Sequence, residues 1–455
     1  MSCSCHKHLL YDTIGDVANC MEDIKQTIRQ KSEYLQVLGY KQFRYLWFGQ
    51  ICSQLASNML LFVLALRIYQ LTGSNTAVSG LFLTFGIPAV LFGILSGTIV
   101  DHLDNKWVLM VCDGVRAVLA IGLLIFSSTV PVMYVFAFLH AVVTQFYVPA
   151  EAPTIPWLVP KSKLLAANSL FSFTFYSSMA LGSIVAGPML KFFGPYSIFL
   201  FISVLFMLAF WFVSHIPKER EVREDLPSTV LHWTVSHIAN RLVASIREGM
   251  TYVKKSPILT DAILLLTGTQ VIIAMLGTLA PGFADRVLHI DVRDASVFII
   301  GPVVLGIILG AIWTGNAGYK YKSSNLIKYG ILGAGCMLLL ISFVVRLERV
   351  SYFSWFFQNS FVSVPLILFL FFLLGVSNSL LDVPANSLIQ GESTADVRGR
   401  VYGILTSAIG GVGILPIILS GILADTIGVG KVIFLLGIVI FFYGIYRMKY
   451  NKQII

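Results

Sequence analysis

The chain has 455 residues, of which 56% are hydrophobic and only 12% are charged. A soluble domain carries about 25% charged residues, so this composition excludes an ordinary soluble protein and indicates an integral membrane protein. The net charge of +9 comes from Lys and Arg residues spread over loops between apolar segments. Since they form no single basic face, we expect no nucleic-acid partner.

Twelve apolar segments of about 20 residues are each long enough to cross the ~30 Å hydrocarbon core of a bilayer as a helix. They lie near 44–70, 76–100, 107–128, 131–150, 165–190, 195–215, 257–284, 296–317, 326–346, 361–384, 400–424 and 430–447. The sequence therefore predicts an all-α polytopic membrane protein with twelve transmembrane helices.

The longest polar interruption divides these spans into six and six. Apolar residues at near-helical spacing within it predict a basic amphipathic helix on the inner membrane face. The predicted units are an N-terminal extension (1–40), a six-helix half (41–216), a linker with this helix (217–256), a second six-helix half (257–447) and a tail (448–455).

Lys and Arg residues concentrate on one side of the predicted spans. Most of the 32 such residues fall before span 1, in the linker or in loops on that side, and positive loop residues stay cytoplasmic. Residues 1–38 are polar, so no cleaved signal peptide is expected. We therefore expect a multi-pass protein of the cell membrane, plasma or inner, with both termini in the cytoplasm.

The six cysteines predict no disulfide framework. All of them fall on the predicted cytoplasmic side or within spans, where disulfides are rare: Cys3, Cys5, Cys20, Cys52, Cys112 and Cys336. The run CSCHKH at 3–8 has the spacing of neither a haem attachment nor a zinc site. The sequence therefore predicts no metal and no cofactor.

The two halves repeat each other. The tripeptide VPA at 148–150 recurs at 383–385. Some 37 residues beyond the tripeptide in each half, Gly187 and Gly194 of the first half match Gly421 and Gly428 of the second. A parallel duplication of six-helix units is how one large class of transporters builds two halves around a central cavity. The sequence therefore predicts two six-helix pseudo-repeats.

Charged residues interrupt the apolar pattern between spans 2 and 3. Asp101 ends span 2 at the predicted inner face, where it can meet the positive end of another helix or an arginine. The start of span 11 offers both, because two arginines sit just before that helix. A bond there would hold the cytoplasmic side shut, and the alternative is a loop turn with solvated charges. The predicted gate comprises Gly97, Asp101, Asp104, Lys106, Arg398 and Arg400.

A second charged pair lies inside span 3. Asp113 and Arg116 are three residues apart, so on a helix they face the same side and can pair. An ion pair within a span is costly unless it faces protein or water, which makes it a functional candidate. Since Asp113 is only ~10 Å from Trp107 along the helix, two interpretations stay open: a structural pair that supports the gate, or a site that carries a proton.

Polar residues in other spans are candidates for a substrate cavity. Arg67 lies toward the outer end of span 1, where it either reaches the interface or faces the cavity and attracts an anionic group. The intramembrane acids Asp113, Asp261 and Asp382 all lie away from the midplane, so the usual carrier for proton coupling is missing. The candidate cavity residues are Gln54, Asn58, Arg67, Gln270 and Asp382.

Several of these stretches resemble the major facilitator superfamily. The loop at 97–106 is similar to its signature loop in the form used by macrolide-efflux and enterobactin exporters, where it acts as the inner gate. Here His102, Asn105 and Trp107 replace basic residues. The segments that fit the same branch are FRYLWFGQICSQL (43–55), VPAEAPTIPWLVPKSKLLAANSL (148–170), EGMTYVKKSPIL (248–259) and VPANSLIQGESTADVRGRVYGI (383–404).

A motif in span 5 resembles an element that marks the antiporters of that superfamily. It comprises Gly182, Gly187 and Pro188, and plain helix packing is the alternative interpretation of these residues. The resemblance implies the major facilitator fold, alternating access and antiport of a drug against protons.

We therefore expect a secondary active transporter that exports an apolar or amphiphilic small molecule, drug-, macrolide- or siderophore-like, by ion-coupled antiport. An ATP-driven pump is not expected, because the chain has no phosphate-binding loop. An enzyme is not expected, because the intramembrane His, Cys and acidic residues are scattered. The expected partners are a small-molecule substrate, the lipid bilayer and protons, and the expected state is a monomer. An importer or symporter of the same fold and a non-transporting membrane scaffold are the alternatives.

Overall fold

The computed structural model describes residues 35–100, 103–218, 250–348, 360–393 and 395–450, and no strand occurs within these ranges. The predicted all-α architecture is confirmed, and each predicted span is a helix or part of one. The helices are α1 (Lys41–Thr72), α2 (Asn75–Val100), α3 (Asn105–Phe126), α4 (Val130–Leu158), α5 and α6 (164–193 and 195–214 of the run Leu164–Ser214), α7 (Pro257–Arg286), α8 (Gly301–Ala317), α9 (Ser323–Glu348), α10 (Ser360–Glu392), α11 (Ala395–Val412 and Ile414–Ile427) and α12 (Val429–Tyr450).

Most of the N-terminal extension and of the linker lies outside the described residues. Most of the predicted amphipathic helix lies outside them, because residues 219–249 are not among the described ones. The last five residues of the tail are not described either. The proposed division of the chain into those segments therefore stays a prediction.

Two glycines make the shortest connections between spans. Gly194 breaks the helical run between α5 and α6 with φ 76° and ψ 176°, and Gly428 separates α11 from α12 with φ 95°. Glycine adopts a positive φ of this kind at little energetic cost, whereas other residues are strained in it. The repeat glycines matched in the sequence therefore make the same kind of sharp turn in both halves.

Helix α4 continues past residue 150, where the predicted span ended, to Leu158. It does so through Pro149, Pro153 and Pro156, whose missing N–H groups leave carbonyl oxygens one turn earlier without their helical donor. Because α4 is longer than predicted, it includes Glu151.

The packing of each half follows the repeat. In the first half α2 packs on α4 and α3 packs on α4, and in the second half α8 packs on α10 and α9 packs on α10. Between the halves, α2 meets α11, and α5 meets the π-helical turn Ser296–Ile300 that precedes α8. We call the side on which α1 begins and α12 ends the terminal face, and the opposite side the distal face.

The α8–α10 contact depends on glycine. A Cβ on Gly375 would lie 2.0 Å from the carbonyl oxygen of Val303, and a Cβ on Gly306 would lie 2.0 Å from the carbonyl oxygen of Phe372. These distances are shorter than any stable contact, so the two backbones can cross closely only because neither position has a side chain.

We therefore predict that Gly375→Ala lowers the free energy of unfolding by about 1–3 kcal/mol, the usual cost of overpacking. Gly391→Ala on the same helix is the matched control, because no heavy atom lies within 4 Å of its Cβ position. The stability of both variants is measured by thermal unfolding of the purified protein in detergent, with size-exclusion chromatography as the readout. Equal loss of stability in the two variants would contradict the prediction.

Candidate functional site

Asp113 and Arg116 lie on one face of α3, as their spacing predicts. Arg116 Nη1 lies 3.4 Å from Asp113 Oδ1, and the side chains are 2% and 0% exposed. Ser53 of α1 joins them: its hydroxyl donates to Asp113 Oδ1 at 2.8 Å and accepts from Arg116 Nη1 at 3.0 Å. The three side chains form a buried polar centre that ties α1 to α3.

An aromatic ring covers the guanidinium of this centre. The Arg116 Cζ atom lies 4.4 Å from the centroid of the Tyr147 ring on α4 and 5.9 Å from that of Phe206 on α6. The negative face of an aromatic ring attracts a cation, and more strongly where water is excluded. Tyr147 is buried and its hydroxyl finds no hydrogen-bond partner in the described structure.

Glu151 adds a second carboxylate to the same region. It lies one turn beyond Tyr147 on α4, it is 9% exposed, and its Oε1 atom has no hydrogen-bond partner among the described residues. Asp113 and Arg116 lie within electrostatic range of its carboxylate. Asp113 Oδ2 and Arg116 Nε are likewise buried and unpartnered in the described structure.

The sequence interpretation missed Glu151 because it ended span 4 at 150. The signal that could have found it is the i,i+4 spacing from Tyr147, which places both on one helical face if α4 continues. His140 lies between the rings of Phe85 and Phe206, with ring centroids 6.0 and 5.7 Å from its own.

We call Ser53, Asp113, Arg116, Tyr147 and Glu151 the buried charge cluster. With both carboxylates ionised, its net charge is −1, and an uncompensated charge in a low-dielectric interior is strongly unfavourable. A single bound proton makes the cluster neutral. The arrangement is therefore suited to bind and release one proton while Arg116 stays paired.

The predicted gate falls partly outside the described structure. Asp101 is not among the described residues, and nothing is described of the Arg398 and Arg400 side chains. Both arginines lie inside α11, which begins at Ala395, rather than before it as predicted. Gly97 lies near the end of α2, and Asp104 caps α3 by accepting from the Lys106 backbone N–H at 2.9 Å. The gating bond stays a prediction.

The five candidate cavity residues lie on α1, α7 and α10. Arg67 donates through Nε to the carbonyl oxygen of Ser127 at 3.1 Å, between α3 and α4. Asn58 donates to the backbone carbonyl oxygen of Gln54 on its own helix at 2.8 Å. Asp382 accepts from Asn386 on the same helix at 3.2 Å, while Gln270 is half-buried on α7. No described hydrogen bond joins these residues between helices α1, α7 and α10.

The span 5 motif makes close helix contacts. A Cβ on Gly182 would lie 3.0 Å from Asn58 Cβ on α1, and a Cβ on Gly187 would lie 2.0 Å from Ser296 Oγ, just before α8. Pro188 lies inside the same helical run. Both glycines therefore lie at close helix contacts, and the antiporter interpretation of the motif stays a prediction.

Polar bonds join the two halves at the distal face. Asp425, near the end of α11, accepts hydrogen bonds from residues at the start of α2, and Lys191 of α5 pairs with Asp294 ahead of α8 at 2.7 Å. Tyr69 of α1 donates to Asp285 Oδ2 of α7 at 3.0 Å. The distal ends of the halves are thus held together.

We predict that Arg116→Met destabilises the protein by about 3–5 kcal/mol, because it leaves buried carboxylates without their cation. The double variant Arg116→Met/Asp113→Asn should recover part of this loss. Arg67→Met is the control, since Arg67 is only half-buried. Thermal unfolding in detergent measures all three, and a double variant no more stable than Arg116→Met would contradict the pairing.

Known proteins with similar sequences are membrane transporters. The chain is 24% identical over 408 residues to the uncharacterized MFS-type transporter YfiS of Bacillus subtilis (strain 168), covering 88% of this chain and 92% of that protein. It is 23% identical over 412 residues to macrolide efflux protein A of Streptococcus pyogenes, covering 88% and 93%.

A solved structure shares the fold. The in meso crystal structure of the POT family transporter PepTSo matches with a TM-score of 0.66 at 15% identity, covering 91% of this chain and 98% of that one. Residues 46–415 match the sequence profile of the Major Facilitator Superfamily. The twelve helices, their two-repeat layout and this match show that the chain belongs to the Major Facilitator Superfamily.

Proposed function

We propose that this transporter exports an apolar or amphiphilic small molecule from the cell by alternating access, in exchange for protons. The observation that carries the proposal is the buried charge cluster, with two carboxylates and one guanidinium inside the membrane-spanning part of the first half. Intramembrane ionisable residues are rare and mark ion or substrate pathways by default. The similarity to macrolide efflux protein A supports export as the direction.

The depth of the cluster supports a role in coupling. Asp113 lies eight residues after the start of α3, and Glu151 lies seven residues before the end of α4. At ~1.5 Å per residue both are ~10–12 Å from the terminal face. Two carboxylates from different helices therefore lie at one level, on the side that the Lys and Arg distribution assigns to the cytoplasm.

Arg116 gives a physical route from proton binding to movement. Its guanidinium already bonds Asp113 and Ser53 while its Nε atom is unpartnered in the described structure. When the proton leaves either carboxylate, that group becomes the better partner for Arg116. A shift of Arg116 between Asp113 on α3 and Glu151 on α4 changes how these helices pack, and closely packed helices respond by discrete rearrangement.

The chemistry of the span residues favours a substrate without a strong negative charge. Arg67, the arginine that could have attracted an anionic group, is bound to the carbonyl oxygen of Ser127 and to Gln70. An acidic siderophore is therefore a poorer candidate than a neutral or cationic amphiphile such as a macrolide.

The test is accumulation of radiolabelled erythromycin, a macrolide, in bacteria that lack their own efflux pumps. Cells that make the protein should hold less of it than cells that do not, and a protonophore should abolish the difference. Higher accumulation would instead support an importer. Unchanged accumulation of erythromycin and of a cationic dye such as ethidium would support the non-transporting scaffold.

We predict that Glu151→Gln removes the protonophore-sensitive part of erythromycin export and flattens its dependence on external pH. Asp113→Asn should do the same, because either change removes one of the two carboxylates of the buried charge cluster. Exchange of labelled for unlabelled erythromycin in proteoliposomes needs no net proton movement, so it should persist.

Asp291→Asn is the control for these variants. Asp291 lies ahead of α8 and binds only the nearby Arg293 in the described contacts, and the hydrogen bonds from Arg293 lower its pKa. Export by this variant should match the unmodified protein. Unaltered protonophore sensitivity in both Glu151→Gln and Asp113→Asn would remove the cluster from the coupling mechanism.

A further inference from the structure

Two contacts between the halves, which we call seams, close the distal face. One joins α5 to the turn ahead of α8 and the other joins α11 to the start of α2, and they occupy equivalent positions in the internal repeat. Gly187 on α5 and Gly421 on α11 match in the internal repeat, and each packs against the start of a helix in the opposite half. A Cβ on Gly421 would lie 2.0 Å from Ser79 Oγ and 2.7 Å from the carbonyl oxygen of Asn75, both on α2. Gly187 makes the corresponding contact with Ser296 and Arg293, ahead of α8.

Four residues beyond each glycine stands a charged residue that bonds across the seam, Lys191 after Gly187 and Asp425 after Gly421. Lys191 Nζ binds the carboxylate oxygens of Asp294 at 2.8 and 2.7 Å, and both side chains are partly exposed. An exposed ion pair of this kind contributes only about 0–1 kcal/mol and is screened by salt.

The seam at Asp425 is chemically different, because the carboxylate caps a helix of the other half. Asp425 accepts from the backbone N–H groups of Asn75 and Thr76 at 3.0 and 2.9 Å. It also accepts from the side chains of Ser74 at 2.6 Å, Thr76 at 2.8 Å and Asn75 at 3.1 Å. These donors form the first turn of α2, where helix N–H groups lack internal partners and the helix end is positive.

A cation and a local cap complete this arrangement. Arg286 of α7 lies 3.5 Å from Asp425 Oδ1 through Nη1 and donates through Nη2 to the carbonyl oxygen of Gly73. Ser74 Oγ accepts from the Ala77 backbone N–H at 3.2 Å while it donates to Asp425. Separation of α11 from α2 would therefore break a charge-assisted network and leave the first turn of α2 without its acceptor.

We propose that Asp425 is the principal latch that holds the distal face closed, and that the Lys191–Asp294 pair is a minor one. This rests on the proposed alternating access, in which the distal face must open in each cycle. The internal repeat supplies both seams, but only the α11 seam places a carboxylate on the N-terminal turn of a helix in the described structure. Asp425 is thus a positioning residue for the opening step rather than a substrate contact.

The experiment measures the distance between spin labels on the two halves by pulsed electron resonance, in detergent and without substrate. The spin labels are attached at Tyr196→Cys and Lys431→Cys, in a chain whose six native cysteines are replaced. Both positions are exposed, at the distal ends of α6 and α12. Asp425→Asn should raise the ratio of open to closed populations on the order of tenfold, the change that ~1.4 kcal/mol produces. Lys191→Met should raise it no more than a few-fold.

Asp291→Asn is the matched control, since it removes a carboxylate from the same face that bonds within one loop. It should leave the distance distribution unchanged. Equal widening by Asp291→Asn and Asp425→Asn, or no widening by Asp425→Asn, would overturn the proposal.

A second pair of variants keeps the proposal testable if Asp425→Asn folds poorly. Gly421→Ala keeps the carboxylate but forces α11 away from Ser79 and Asn75, so it should also widen the distances. Gly411→Ala, elsewhere on α11, has no heavy atom within 4 Å of its Cβ position and should not. These distance measurements need no transport. If the distances change as expected but the protein exports no erythromycin, the proposed substrate is rejected and the latch is not.

Discussion

The burial of Arg116 inside a membrane-spanning bundle is the constraint on which the first half depends. A guanidinium without partners in such an interior is costly by several kcal/mol, and here a carboxylate, a hydroxyl and an aromatic face surround it. These partners come from α1, α3 and α4, together with Phe206 of α6 at 5.9 Å. One charged side chain thereby fixes how four helices of one half are arranged.

The charge balance around the buried Arg116 also makes the buried charge cluster a better candidate for proton coupling than for a purely structural role. A purely structural ion pair needs one carboxylate for one guanidinium, and the Arg447–Asp261 pair that joins α12 to α7 has this form in the described contacts. The cluster around Arg116 contains one carboxylate more than neutrality requires. In the proposed coupling, the extra carboxylate would make the favoured partner of Arg116 depend on proton binding, whereas a purely structural ion pair has no need of it.

The sequence predicted those features that depend on local pattern. Span length, the internal repeat that matches Gly194 with Gly428, and the common helical face of Asp113 and Arg116 all follow from composition, sequence comparison of the halves or helical geometry. Glu151 was missed because three prolines favour the end of a helix, and α4 continues through them since the missing donors affect single carbonyl oxygens. Asp425 was missed because the predicted span 11 stopped one residue earlier. Its partners on α2 lie some 350 residues away, and no local pattern predicts such a contact.

Helix α1 connects the two charged regions physically. Ser53 belongs to the buried charge cluster near the terminal face, while Tyr69 bonds Asp285 and Gly73 accepts from Arg286 beside the latch at the distal face. Ser53 and Tyr69 are 16 residues apart on one continuous helix, or ~24 Å. A helix of 32 residues with no proline in its sequence moves largely as one body. A rearrangement around Arg116 that tilts α1 would therefore displace the bonds of Tyr69 and Gly73, so a proton bound on one side of the membrane can change the closure of the other.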